Sequence, residues 1–189
     1  MEHSLAGIFW RLAGVLALVF ANGFFVASEF AIVTVRKTRI DQLIAEGHRG
    51  ARAVRRAVSD PASYIASTQL GITMASLGLG WIGEPALASL FQPMFGSLSV
   101  SMAEATAHSL AVAVSFALIT ALHITLGELV PKTIAMQRAE ATALLVVKPT
   151  ELFMKAFWPF IRLLNGMGRT VIRLIGMRSS DGHALVHSE

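Results

Sequence analysis

Long apolar stretches, each interrupted by a few polar side chains, dominate the chain. The first covers residues 12–35 without a basic residue, more than the ~20 residues that cross a hydrocarbon core as a helix. A second opens on Pro61, placed as a first helical residue behind the capping side chain of Asp60. It continues through residues 62–82, rich in small side chains, and the run 80–85 with its glycines and Pro85 is expected to end it. A third covers residues 108–128 and is expected to stop at Pro131 and Lys132. Beyond it the apolar stretch 153–161 is broken by Lys148, Glu151 and Lys155 and punctuated by Pro149 and Pro159, which favours an interfacial helix over a fourth crossing. Arg162, Asn165, Arg169 and Arg173 then recur on one helical face, opposite Ile161, Leu164, Val171 and Ile175. The pattern predicts an all-α membrane protein with three transmembrane helices per protomer, followed by amphipathic juxtamembrane helices. Residues 1–135 form the membrane-spanning domain, 136–178 the interfacial helices, and the polar, aperiodic 179–189 the start of a linker to a cytoplasmic module.

Composition agrees with this division: 54% of the 189 residues are hydrophobic and 15% charged, and mean hydropathy is +0.60. No Lys or Arg occurs in residues 57–131, whereas basic residues crowd both flanks. A nucleic-acid binder is disfavoured, because its basic groups should line a polar groove rather than flank apolar spans. The amino end, Met-Glu-His, lacks the basic start of a secretory signal peptide. The positive-inside rule puts residues 36–56 and everything after the third span in the cytoplasm, with the amino terminus and the 83–107 loop outside an inner (plasma) membrane. The absence of cysteine removes disulfides, thiolate metal sites and cysteine nucleophiles.

Polar groups at membrane depth are costly, and each is a functional candidate by default. The first span carries Asn22, Ser28 and Glu29, the second Thr68, Gln69, Thr73 and Ser76, the third Thr120, His123, Thr125 and Glu128. Asn22 and Glu29 fall about 20° apart on a helix, but Ser28 lies about 120° from Asn22. Both reach one centre only if the helix distorts near Gly23 or they approach from different sides. The sharpest chemistry is in residues 127–132: Pro131 lacks an amide hydrogen and its ring presses on the Gly127 carbonyl, which loses its helical partner beside the Glu128 carboxylate. Two readings follow. A free carbonyl and a carboxylate make a hard-cation site, suited to Mg2+, Ca2+ or Na+ rather than zinc or copper; or the proline makes a kink whose freed carbonyl is met by a Ser or Thr hydroxyl on a neighbouring helix. Glu29 suits a supporting or interfacial role near Arg36, Lys37 and Arg39, and His123 an interhelical hydrogen bond or a titrating group. Gly71 suits close packing or an exposed carbonyl.

Three segments together, residues 22–31 around Asn22-Gly-Phe-Phe-Val-Ala-Ser-Glu29, residues 67–73 around Ser67-Thr-Gln-Leu-Gly71-Ile-Thr73, and residues 126–132, resemble the transmembrane domain of the CorC/CNNM (cyclin-M) family of magnesium transporters. The resemblance covers residues 5–178. It implies a homodimer in the lipid bilayer, a juxtamembrane helical belt, a following cytoplasmic CBS-type module, and Mg2+ export driven by inward Na+. It carries a cation role onto Asn22, the Ser28 neighbourhood, Gly71, Thr73, Gly127 and Glu128, with Pro131 exposing the carbonyl; Gln69, like Glu29 and His123, is a candidate for a supporting place around them. Val26 and Ala27 depart from the serine and glycine that many relatives have before Ser28-Glu29, which removes one hydroxyl from the first span. The expected mechanism is alternating access. The competing reading is a non-transporting anchor and dimerisation module for a cytoplasmic sensor of Mg2+ or nucleotide. An enzyme is not expected, for want of a Ser/His pair, an intramembrane Asp pair or a metalloprotease motif.

Overall fold

The computed structural model describes residues 5–97 and 104–176; the expected linker, 179–189, lies outside them. The order is α1 (Leu5–Thr34), α2 (Lys37–Ala45), α3 (Ala51–Ser59), α4 (Pro61–Ser97), α5 (Glu104–Leu122), a π-helical segment (His123–Leu129), α6 (Val130–Gln137), α7 (Ala139–Ala156) and α8 (Trp158–Leu174). Among the described residues three stretches are long and apolar enough to cross a bilayer: Phe9–Thr34, Pro61–Phe91 and His108–Gln137. No strand occurs among the described residues, so the all-α membrane architecture stands.

Helix α1 is the central element, packed on α4, on the π-helical segment, on α6 and on α7. Two clusters hold it. Val15 and Val19 meet Leu79, Leu87 and Ile119 in the half of the bundle away from α2. At the other end Ala31, Ile32 and Val35 join Ile40, Leu43, Val54, Tyr64, Ala135 and Val147, where α1, α2, α3, α4, α6 and α7 meet. Large apolar side chains also stand uncovered, Trp81 and Phe116 among them. Such faces suit hydrocarbon rather than water, in keeping with contact to the bilayer.

Several expected boundaries are confirmed or corrected. Asp60 caps α4 as its sequence position indicates, its Oδ1 accepting the Ser63 amide at 3.3 Å, with Pro61 as the first helical residue. The 80–85 run does not end this helix, which continues to Ser97. Pro85 costs one ladder bond, to the carbonyl of the highly exposed Trp81 on the outer face, and the neighbouring turns carry the helix on. Gly83 serves packing: a Cβ there would lie 3.0 Å from Ile119 Cδ1. Pro131 does not stop the third span either, because the π-helical turns before it take up the clash and α6 carries on to Gln137. Pro149 likewise sits inside α7, where the bond it forfeits belongs to exposed Leu145. The break falls instead at Phe157, inside the stretch expected to form one interfacial helix, and Pro159 opens α8. Residues 36–60, read mainly for their charge, are two short helices.

The basic end is bound together by ion pairs. Arg39 Nε meets Glu140 Oε2 at 3.1 Å, Arg55 Nε meets Asp41 Oδ1 at 2.8 Å, and Arg56 Nη2 meets both Glu151 oxygens at 2.8 and 3.1 Å. The Arg39 and Arg56 pairs join α2 and α3 to α7. Lys132 Nζ stands 4.5 Å from the centroid of the Phe30 ring.

Candidate functional site

The third span changes its winding where the sequence places the proline. From His123 to Leu129 the hydrogen bonds run to the fifth residue back, and the Val130 amide closes the segment on the Thr125 carbonyl. A π-helical turn is a wider winding that recurs at functional sites. It gives the Pro131 ring room, and Pro131, which has no amide hydrogen, cannot donate to the Gly127 carbonyl four residues back. Helix α1 makes room for this ring through Gly23, where a Cβ would lie 2.9 Å from Pro131 Cγ and 3.2 Å from the Leu126 oxygen.

Asn22 meets that carbonyl. Its Nδ2 donates to the Gly127 oxygen at 2.8 Å, and both residues are buried. Ser76 of α4 donates from Oγ to Asn22 Oδ1 at 3.2 Å and stands 3.3 Å from His123 Nε2. One polar chain therefore links the first, second and third spans. It matches the second reading of the sequence in form: the Gly127 carbonyl is met from a neighbouring helix, by an amide rather than a hydroxyl. The sequence places Ser76 among the polar groups of the second span, on one helical face with Gln69 and Thr73, but gives it no role of its own.

The other candidates are distributed around this chain. Glu128 is exposed beside Gly127 and makes no hydrogen bond or ion pair among the described residues. Thr73 and Gln69 are exposed on α4, and with Met74, Leu77, Phe160 and Asn165 they line a groove of about 790 Å3 between α4 and α8. Gly71 lies in unbroken helix, where the ladder uses its carbonyl. Its missing side chain admits the Phe25 ring, three atoms of which would come within 2.6 Å of a Cβ. Ser28 turns away from Asn22, as the 120° separation implied: its hydroxyl donates to the Phe24 oxygen at 2.8 Å and accepts from Thr150 of α7 at 3.1 Å. Glu29 accepts from Thr68 Oγ1 at 3.0 Å and forms no ion pair with the basic cluster among the described residues. No group of three or more His, Asp or Glu side chains suited to a metal occurs among the described residues. Any cation held here would rely on carbonyl, amide and hydroxyl oxygens, one carboxylate and its own water, a donor set for a hard ion.

Comparison with known proteins gives the same direction. The family model described as cyclin M transmembrane N-terminal domain matches residues 13–189. UPF0053 protein YhdT of Bacillus subtilis (strain 168) is 46% identical over 172 residues, 91% of this chain and 37% of that protein. From the same organism, UPF0053 protein YrkA is 42% identical over 172 residues, 91% of this chain and 39% of its own length. UPF0053 protein YugS is 39% identical over 179 residues, 95% and 41% respectively. The chain thus spans about two fifths of the length of these curated relatives. With three helices among the described residues long and apolar enough to cross a membrane and a family match over nearly all of its length, this multi-pass membrane chain belongs to the cyclin M (CNNM/CorC) family.

Proposed function

We propose that this domain is a divalent-cation transporter that moves Mg2+ out of the cell by alternating access, coupled to Na+ entering. The observation that carries the reading is the Gly127 carbonyl, denied its α-helical donor by Pro131 and met by the buried Asn22 amide, with the Glu128 carboxylate, unpaired among the described residues, beside it. A membrane anchor has no need of such a group, and a bilayer penalises it. Mg2+ takes six oxygens at ~2.0–2.1 Å and sheds water reluctantly. Glu128 supplies the formal charge, Gly127 and Asn22 supply neutral oxygens, and retained water completes the shell. Thr73, Gly71 and Ser28 join it only if the helices move, as a transporter with two access states requires. The family membership supports transport, and the basic flanks support a cytoplasmic carboxyl end. A homodimer and a CBS-type module after residue 189 complete this reading.

The test is Mg2+ titration of the full-length protein by calorimetry in Na+-free buffer, paired with Mg2+ flux in proteoliposomes. Wild type should bind saturably, Glu128→Ala should lose at least tenfold in affinity and most of the flux, and Na+ should weaken binding. A wild-type protein that folds and binds no Mg2+ would turn the reading to the anchor, as would Glu128→Ala binding normally.

A further inference from the structure

The freed Gly127 carbonyl is already taken. Asn22 Nδ2 donates to it at 2.8 Å, and only the amide nitrogen can face it, since Oδ1 there would set two acceptors against each other. Asn22 Oδ1 is consequently turned to Ser76, whose Oγ donates to it at 3.2 Å. The hydroxyl has a single hydrogen, so its 3.3 Å contact with His123 requires Nε2–H to donate to Oγ. The hydrogen bonds all run one way, from His123 to Ser76 to Asn22 to Gly127, and end with a partial positive charge against the Gly127 oxygen. Gly127 itself permits this approach: a Cβ there would lie 3.2 Å from Asn22 Nδ2 and 3.0 Å from His123 Cδ2.

We infer that Ser76 and His123 hold Asn22 in an ion-excluding orientation, in which the amide NH2 sits on the Gly127 carbonyl in the place of the cation. Loading then requires the amide to turn its Oδ1 towards the ion and leave the Ser76 hydroxyl. Ser76 is a positioning residue that never touches the ion. The inference rests on the cation reading above and adds to it an internal competitor for the ion. Apparent affinity is the intrinsic affinity reduced by the fraction of protein in the competent state. Removing one neutral hydrogen bond made only in the ion-free state therefore tightens binding, by about twofold to tenfold. A ligand's removal would do the opposite.

The experiment is Mg2+ calorimetry and proteoliposome flux on the full-length protein, comparing wild type, Ser76→Ala, Ser76→Thr, His123→Phe and Glu128→Ala. Ser76→Ala should bind Mg2+ about fivefold more tightly, with a lower half-saturating Mg2+ for flux and a lower maximal rate, because release must now restore a less stable ion-free state. Ser76→Thr, which keeps the hydroxyl, should return both values towards wild type. His123→Phe removes the donor to Ser76 and should tighten binding in the same direction, which keeps the test open if Ser76→Ala fails to fold. Unchanged or weaker Mg2+ binding in Ser76→Ala and His123→Phe, with wild type binding and Glu128→Ala not, overturns the inference and leaves the cation reading intact. Wild type without binding, or Glu128→Ala with normal binding, overturns both.

Discussion

At Gly71 a Cβ would stand 2.6 Å from three atoms of the Phe25 ring, closer than any side chain tolerates. Gly71→Ala should therefore destabilise the domain by about 1–3 kcal/mol, and Phe25→Leu in the same chain should recover part of it. Thermal unfolding in detergent of the two single variants and the double variant reads this as a coupling; simple additivity would mean that the ring is not the obstacle. The sequence identifies Gly71 as a packing residue but not its partner, because the register between α1 and α4 is a tertiary property. Asn22 and Gly127 stand in the same position. Each was recognisable alone, one as a buried amide and the other as a carbonyl freed by proline, yet they lie 105 residues apart and their pairing follows only from the fold. For Ser28 the helical angle gave the right direction. Its partner Thr150 escaped notice because α7 was expected to lie in the interface, whereas Thr150 is fully buried against α1.

Helices respond to proline according to what surrounds the carbonyl it orphans. Pro85 and Pro149 orphan the carbonyls of Trp81 and Leu145, and their helices continue. Pro131 orphans a buried one, and the chain answers with a π-helical segment and the Asn22 amide. The stops expected at Pro85 and at Pro131 are thus not observed: helix continues past both, and the Asn22 amide that meets the Gly127 carbonyl comes from a neighbouring helix, which a linear pattern does not contain. Pro131→Ala would return an N–H four residues beyond Gly127, able to reclaim its oxygen. Mg2+ binding should weaken several-fold in titration, and unchanged affinity would mean that the carbonyl takes no part. The helices α2 and α3 were missed because residues 36–60 attract attention by charge. Their apolar positions, Ile40 and Leu43, then Val54, Ala57 and Val58, recur at helical spacing and are all buried.

Taken whole, the molecule has an apolar bundle and a basic end where six helices share one cluster. Arg56 and Glu151 hold α3 to α7 with three hydrogen bonds, but the Arg56 side chain is 65% exposed, so Arg56→Ala should cost no more than about 1 kcal/mol, with a deficit that shrinks in high salt. Melting at low and high ionic strength checks this, and a large salt-independent loss would mean that Arg56 packs rather than pairs. The lack of any cysteine makes orientation directly measurable: His48→Cys should react with a membrane-impermeant thiol reagent only from the cytoplasmic side, and reaction from outside would invert the topology.

The winding of the third span also fixes a phase. A helix whose bonds reach five residues back takes up one residue more than an α-helix of matching rise, and one residue is worth about 100° of rotation. That offset sets how the buried face of α5, with Ala111, Ser115 and Ile119, is carried on to Ala135 of α6, which lies in the core at the basic end. Deleting a single residue from 123–129 would keep the span apolar and long enough, yet rotate everything downstream so that Ala135 leaves its core and Lys132 its place over Phe30. The surplus residue acts as a phase shifter between the two halves of one continuous span.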